Sequence, residues 1–465
     1  MPIGSVVSCT AMLSLNKIFD RFGKKKPRIR GRGLSDSPEA TIIPRSEHTI
    51  SRKQISPAAL KVLYGLKEAG YDGYLVGGCV RDLLLGHEPK DFDIATNASP
   101  EEVHKVFRRS QLIGRRFKLV HVRFGREIIE VATFRAPPEA EQHVDDAGRI
   151  MRDNVYGTLE QDAWRRDFTI NALYYNINDF SIVDFTGGIA DLKEGKIKLI
   201  GDVETRYRED PVRILRAIRF VGKLGLVLDE ETERLIPVLA SLLTDIPAAR
   251  LFDESLKLYL SGNAAVTHEL LCHYHVFEQL FPQTDTVLHS EQDNYPRTLL
   301  IKALENTDKR IDEGKTVTPA FLFAAILWEP VRQRWQEHIA RNVPPIPALQ
   351  RAATDVIVEQ VKRVAVPKRF TIMTRDIWTL QPRLEQRFGK RAIRLLTHPK
   401  FRAGYDFLLL RTESGEPLTE LAQWWTQFQV ATEDEQNAMV KNLAPVSNKR
   451  KPRRRKRKKP AAKSE

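Results

Sequence analysis

Tyr74-Leu-Val-Gly-Gly-Cys-Val-Arg-Asp-Leu-Leu-Leu-Gly-His-Glu-Pro-Lys-Asp-Phe-Asp-Ile-Ala-Thr96 packs three kinds of signal into twenty-three residues. Tyr74 to Val76 is a short apolar run that reads as a buried strand stopping at Gly77-Gly78. Cys79 to Leu85 reads as a helix closed by Gly86, and a second strand opens at Asp91. Paired glycines between strand and helix let backbone N–H groups approach a phosphate, where a helix N-terminus also favours negative charge. Side chains alternate along a strand, so Asp91 and Asp93 share a face with Phe92 buried behind them. Two carboxylates beside a phosphate cradle are the oxygen donors used by Mg²⁺ in phosphoryl and nucleotidyl transfer. Taken singly, Gly-Gly is a common turn and Asp-x-Asp a common solvated pair. Their order and spacing make the signal specific.

The flanking sequence extends the same unit. Ser56-Pro57 suits a helix start, with Ala59, Val62, Leu63 and Leu66 on one face and Gly70 at the end. Ser99-Pro-Glu-Glu102 has capping-box spacing and opens a helix with Val103, Val106 and Phe107 inward. Phe117–Phe124 and Glu127–Phe134 read as strands joined at Gly125-Arg126, and residues 136–152 as a mobile loop. From Asp210-Pro211 the period becomes helical, beginning with Ile214, Ala217, Ile218 and Val221, and stays so to about residue 430. Nothing repeats at a fixed period.

Charge is unevenly placed along the 465 residues, whose formal net charge is +14. Residues 448–465 hold eleven Lys/Arg against one Glu, and residues 1–33 eight against one Asp, leaving the middle slightly acidic. Such basic tails neutralise phosphates without reading sequence, so a polyanionic partner is expected, with Lys449, Arg450, Arg453, Arg454 and Arg455 as RNA contacts. Between about 360 and 411, Arg369, Arg375, Arg387, Lys390, Arg391 and Arg402 alternate with Phe370, Trp378 and Phe388, a pattern that suits RNA as well as a solvated helix face. Cys9, Cys79 and Cys272 form no disulfide framework, which fits a reducing cytoplasm, and Cys272-His-Tyr-His275 lacks the second half of a zinc motif. No apolar run is long enough for stable membrane insertion. Met1–Cys9 lacks a basic n-region, so a secretion signal is not expected, and Met12 offers an alternative start.

In combination these motifs resemble the class II nucleotidyltransferases, which include bacterial poly(A) polymerases and tRNA CCA-adding enzymes. The resemblance covers roughly residues 60–260. It implies Asp91, Asp93 and Asp167 at the catalytic centre, with Glu130 in Glu127-Ile-Ile-Glu-Val-Ala-Thr-Phe-Arg135 as third Mg²⁺ ligand. Arg165-Arg-Asp-Phe-Thr-Ile-Asn-Ala172 resembles the family's ribose and triphosphate motif. Gly77, Gly78, Arg81 and Arg166 would then hold the triphosphate, while Asp167 and Asn171, four apart, grip a ribose. Asp167 is left open between catalysis and ribose binding. Glu209-Asp-Pro-Val-Arg213 resembles the base-selection motif, giving Asp210 and Arg213 to the base, while Arg216 and Arg219 could meet phosphate or base. Asp184-Phe-Thr-Gly-Gly188 resembles a flexible loop coupling head to neck.

Leu112–Gly125 and Pro247-Ala-Ala-Arg-Leu-Phe-Asp-Glu-Ser-Leu-Lys257 look like segments of the bacterial poly(A) polymerase branch. Cys79 stands where that branch usually has a third glycine, and a small side chain there should be tolerated. The expected fold is α+β and multidomain: a small mixed α/β nucleotidyltransferase head followed by all-helical neck, body and C-terminal domains. The expected boundaries are a disordered basic segment over 1–45, the head over 46–180 and the neck over 181–262. A helical RNA-binding body with an Arg-rich C-terminal region follows over 263–445, and a disordered basic tail over 446–465. The expected activity is template-independent addition of AMP from ATP to RNA 3′ ends with release of pyrophosphate. The family further implies a link to RNA-decay machinery. A CCA-adding enzyme on the same head, and a non-catalytic RNA-binding protein, are the alternatives.

Overall fold

The computed structural model describes residues 40–114, 118–136, 155–290 and 295–443. The expected basic contacts Lys449, Arg450, Arg453, Arg454 and Arg455, most of the N-terminal basic segment and nearly all of the 136–152 loop lie outside these. Two compact units divide the chain. The first takes residues 1–290, 304–317 and 358–366, and the second takes 291–303, 318–357 and 367–465.

The first unit is built on an eight-stranded sheet. Its strands are β1 (Thr41–Ile43), β2 (Gly73–Val76), β3 (Asp93–Thr96), β4 (Ser110–Ile113), β5 (Leu119–Phe124), β6 (Glu127–Thr133), β7 (Leu173–Asn176) and β8 (Ile182–Asp184). They lie in the order β1-β8-β7-β2-β3-β6-β5-β4. Every pairing is antiparallel except β3 with β6, which run parallel with Asp93 opposite Glu130 and Ile94 opposite Val131. The sheet thus begins inside the segment expected to be unstructured and ends beyond residue 180. Thr41–Ile43 was hidden because three residues between Ala40 and Pro44 are too few to show a strand period; it gains order by pairing with β8, 139 residues or more downstream, as in Ile43 with Ile182.

Local chemistry accounts for the helices that frame the sheet. Ser56 Oγ accepts the Ala59 N–H at 3.0 Å and starts α1 (Pro57–Glu68), whose Ala59, Val62, Leu63 and Leu66 are buried. α2 (Gly78–Leu84) springs directly from the paired glycines. Ser99 and Glu102 exchange backbone hydrogen bonds at the head of α3 (Pro100–Val106), as the capping-box spacing predicts. α4 (Leu159–Trp164) precedes the Arg-Arg-Asp motif, and α5 (Gly188–Glu194) follows the sheet.

Beyond the sheet the unit is helical apart from a two-stranded pair, Lys196–Ile197 with Val227–Leu228, too short to leave a periodic signal. α6 (Val203–Glu209) leads into α7 (Val212–Leu224), which buries Ile214, Leu215, Ala217 and Ile218 and closes at Gly225, whose φ of 65° is left-handed. Arg213, Arg216, Arg219 and Lys223 recur every three or four residues along α7, so they line one flank.

The second unit is all-helical over its described residues. Buried Trp328, Trp378 and Trp425 anchor it, and Trp378 and Trp425 donate their indole N–H groups to Ala324 O (3.0 Å) and Leu384 O (2.9 Å). Trp378, one of the interleaved aromatics, is therefore core, whereas Phe388 is half exposed beneath Arg391. No helix among the described residues is long and apolar enough to cross a membrane.

Candidate active site

Gly77 sits at φ 78°, a backbone conformation that disfavours any side chain, and its N–H is donated to Leu173 O at 3.3 Å. A Cβ added there would lie 3.4 Å from Arg166 Nη1, so this guanidinium nitrogen faces the turn. Cys79 is buried behind it and donates its thiol to Val76 O at 3.3 Å, which explains how the position accepts a side chain. Burial pushes that thiol up to about 12.

Asp93 opens β3, half-buried, with exposed Asp91 on the approach and Phe92 buried between them. Burial, the Glu130 carboxylate and Asp91 push the Asp93 carboxyl up to about 6 against the pull of Arg166. The parallel register sets Glu130 beside Asp93, but its side chain faces His121 on β5 and meets Nε2 at 3.1 Å. In this conformation no three His, Cys, Asp or Glu side chains among the described residues stand close enough to hold one ion.

Arg166 is fixed by Asp162 and Tyr174. Its Nε donates to the Tyr174 hydroxyl at 2.9 Å and its Nη2 to Asp162 Oδ2 at 2.9 Å, while the Tyr174 hydroxyl donates to the same oxygen at 2.7 Å. Burial works against its charge, but Tyr174 and Asp162 outweigh burial and hold it firmly protonated.

Four other expected site residues form a continuous polar chain instead of an open pocket. Arg81 is buried; Nε and Nη2 donate to Asp82 Oδ1 at 2.8 and 2.6 Å, and Nη1 donates to Asn171 Oδ1 at 2.6 Å. Asn171 Nδ2 donates to Asp167 Oδ1 at 3.2 Å, which also accepts the Phe168 N–H at 2.8 Å. Asp167 Oδ2 accepts Arg216 Nε at 2.6 Å. Although burial opposes its charge, Arg216, the Phe168 N–H and Asn171 bring the Asp167 carboxyl down to about 2. Arg81, expected to meet triphosphate, spends its fork on Asp82 and Asn171 while its Nη2 also faces the glycine turn, 3.5 Å from where a Cβ at Gly78 would lie. Asp167 and Asn171 face each other across a 3-10 turn, Thr169–Asn171, so they do share a side.

The guanidinium groups of Arg81 on α2 and of Arg216 and Arg219 on α7 all lie over the Phe220 ring of α7, 5.2, 5.5 and 4.9 Å from its centroid. Arg219 has a buried Nε with no hydrogen-bond partner among the described residues, and burial with nearby Arg216 lowers its proton affinity. The Arg213 N–H donates to Asp210 O at 3.0 Å, but among the described residues their side chains take other partners. Asp210 Oδ2 accepts Arg250 Nη2 at 2.7 Å, and Arg213 Nη1 reaches Glu209 Oε2 at 3.0 Å and Arg206 O.

The expected coupling loop is held tightly. Asp184 accepts four N–H groups, from Thr186, Gly187 and Gly188 on Oδ1 and from Ile189 on Oδ2, at 2.9–3.1 Å. A Cβ at Gly188 would lie 2.2 Å from Thr169 O, so the second glycine permits close packing of α5 on the 3-10 turn. Asp82, Asp162, Tyr174 and Arg250 were not singled out from sequence. Only Asp162 carried a local signal, being four residues before Arg166 on a helical stretch.

Comparison with known proteins matches this architecture. A model described as "Poly A polymerase head domain" matches residues 73–198, and "Polymerase A arginine-rich C-terminus" matches 341–459. One described as "Probable RNA and SrmB- binding site of polymerase A" matches 225–288. Poly(A) polymerase I of Escherichia coli O6:H1 is 50% identical over 433 residues, 90% of this chain and 93% of that one. The chain belongs to the bacterial poly(A) polymerase family.

A CCA-adding enzyme of Lactobacillus delbrueckii subsp. bulgaricus is 41% identical over 211 residues, but these are 45% of this chain and 52% of that one. The Bacillus stearothermophilus CCA-adding enzyme solved in complex with CTP shares the fold at 27% identity and a TM-score of 0.52, over 80% of this chain and 82% of that one. The CCA-adding likeness in sequence thus spans less than half the chain, while the poly(A) polymerase likeness runs through the helical second unit as well.

Proposed function

We infer that the chain adds AMP from ATP to RNA 3′ ends without a template and releases pyrophosphate. The observation that carries this reading is the β3–β6 register: Asp93 and Glu130 side by side, next to a glycine turn faced by Arg166. That arrangement offers oxygen donors for a cation and a guanidinium for phosphate at one place.

Asp91, Asp93 and Glu130 would hold Mg²⁺. The fit lies in the donor set, three hard carboxylates, and in the raised Asp93, whose crowding by like charge a cation relieves. Binding would draw Glu130 off His121. When bound, Mg²⁺ supplies charge neutralisation at the phosphates and a lowered pKa for the attacking 3′-hydroxyl. Arg166 Nη1 meets a phosphate oxygen at the Gly77-Gly78 turn, oriented by Asp162 and Tyr174. The chain Asp82–Arg81–Asn171–Asp167–Arg216 holds that turn in place against α7. Arg219, with its unpartnered Nε, takes a phosphate or base edge. Asp210 and Arg213 select adenine by exchanging Arg250 and Glu209 for the base. The place of action is the cytoplasm, and short tails on varied 3′ ends would feed RNA decay.

The test supplies the protein and Mg²⁺ with each NTP in turn, using an unstructured RNA or a tRNA lacking its terminal CCA. Long ladders with ATP on the unstructured RNA are expected. Extension confined to the tRNA and dependent on CTP would move the chain to the CCA-adding branch, and no product in any lane would leave only RNA binding.

A further inference from the structure

The second unit contains a polar cleft of about 400 Å³, within the range that accommodates one nucleotide. Helix Lys368–Leu384 supplies most of its wall. Arg375, Thr379 and Arg383 follow one another at four-residue intervals, with Asp376 and Leu380 alongside; Gln350, Thr354 and His398 complete the lining.

The polar groups here are unusually idle for half-buried side chains. Among the described residues, the side chains of Arg383 and Asp376 make no hydrogen bond or ion pair. Arg375 reaches only Thr354 Oγ1, at 3.5 Å. His398 Nδ1 accepts the Lys400 N–H at 3.1 Å, so the proton of its neutral ring sits on Nε2 as a donor. Two guanidinium forks without a carboxylate partner match phosphate oxygens. Asp376 would repel a bare anion but accepts from a hydroxyl, and Leu380 offers an apolar surface. A ligand that satisfies all of these carries both an anion and hydroxyl donors.

We propose that this cleft binds one nucleotide unit, with its phosphate on Arg375 and Arg383 and a ribose hydroxyl on Asp376. The proposal rests on the reading of the chain as an enzyme acting on RNA. Two sources share this chemistry: a nucleotide within the RNA strand and free ATP.

The experiment compares full-length wild-type protein with Arg375→Ala/Arg383→Ala and with Asp376→Asn. It uses fluorescent oligo(A) RNA in a salt series, oligo(dA), and a non-hydrolysable ATP analogue in equilibrium dialysis. The alanine pair should weaken RNA binding about tenfold and lower the log–log salt slope by about 0.7 for each phosphate no longer neutralised. The KM for ATP and kcat at saturating RNA should hold. Asp376→Asn should keep the slope but narrow the preference for RNA over oligo(dA), since the 2′-hydroxyl is what differs. Loss of one bound analogue per chain with RNA affinity intact would support the cleft with free nucleotide as its occupant. If the alanine pair does not fold, Arg375→Lys/Arg383→Lys carries the test: charge kept, forks lost, RNA binding a few-fold weaker at an unchanged slope. Unchanged RNA affinity, slope and analogue stoichiometry in a folded variant would overturn the proposal. That result would leave AMP addition by the wild-type protein intact, whereas failure of AMP addition strikes the functional reading itself.

Discussion

Asp93→Asn should make the protein more stable while removing its activity. The Asp93 carboxyl lies at about 6 in the folded chain against 3.8 for an ordinary Asp, so the native state binds its proton more tightly than the unfolded state does. Its contribution to stability is greatest below about pH 4 and is lost as pH rises through 6. A shift of this size corresponds to roughly 3 kcal/mol at pH 7.5 and about half of that at pH 5. The pull of Arg166 is already contained in that value, and water reaching the half-buried carboxylate reduces the net gain to about 1–2 kcal/mol, or a few degrees in unfolding midpoint. The assay is thermal unfolding of wild type and Asp93→Asn in EDTA at pH 5, 6 and 7.5, repeated with Mg²⁺. The variant should gain over wild type as pH rises, and Mg²⁺ should raise the midpoint of wild type alone. A variant no more stable than wild type, or a difference flat with pH, would refute the raising of Asp93 by burial and by the neighbouring Glu130 and Asp91. Primer extension by the stabilised variant would separately refute its place at the catalytic centre.

Arg216→Ala strands Asp167 as a buried, unpaired carboxylate and should cost about 3 kcal/mol in urea unfolding. Asp167 lies at about 2 in the folded chain, so it contributes roughly 2 kcal/mol that is present above pH 4 and lost as pH falls toward 2; Arg216→Ala should flatten that acid limb, and an unchanged limb would speak against the pair. Cys79, buried and raised to about 12, should resist iodoacetamide at pH 8 in native protein while exposed Cys272 is labelled, read by peptide mass spectrometry. Equal labelling of the two would mean the glycine turn opens readily. Gly188→Ala must move the Thr169 carbonyl and should cost about 2–3 kcal/mol in the same urea assay, whereas a loss below about 0.5 kcal/mol would show that α5 yields easily.

What the sequence revealed follows the range of its interactions. The order strand, Gly-Gly turn, helix, strand from Tyr74 to Thr96 rests on local rules, and the structure has it to within two residues at each boundary. Capping boxes such as Ser99 with Glu102 are equally local. Glu130 beside Asp93 was expected from the resemblance alone, since the strand pattern by itself reads Glu130 equally as an edge-strand acid. That Arg81 also grips Asn171 was hidden, because this partner lies 90 residues away and leaves no mark near it. Asp210 and Arg250, 40 residues apart, were hidden in the same way. The Asp184 loop resembles a flexible element, yet four N–H groups converge on one carboxylate, a count that only coordinates reveal.

The polar chain from Asp82 to Arg216 touches α7 at two points, because Asp82 also lies 3.9 Å from Lys223 while Asp167 bonds Arg216. A chimera that joined residues before Asp184 from this chain to residues after it from a relative would take four members of that circuit from one parent and two from the other. Modular exchange of nucleotide preference should therefore succeed only when Arg81, Asp82, Asp167, Asn171, Arg216 and Lys223 travel together, whichever parent supplies the rest.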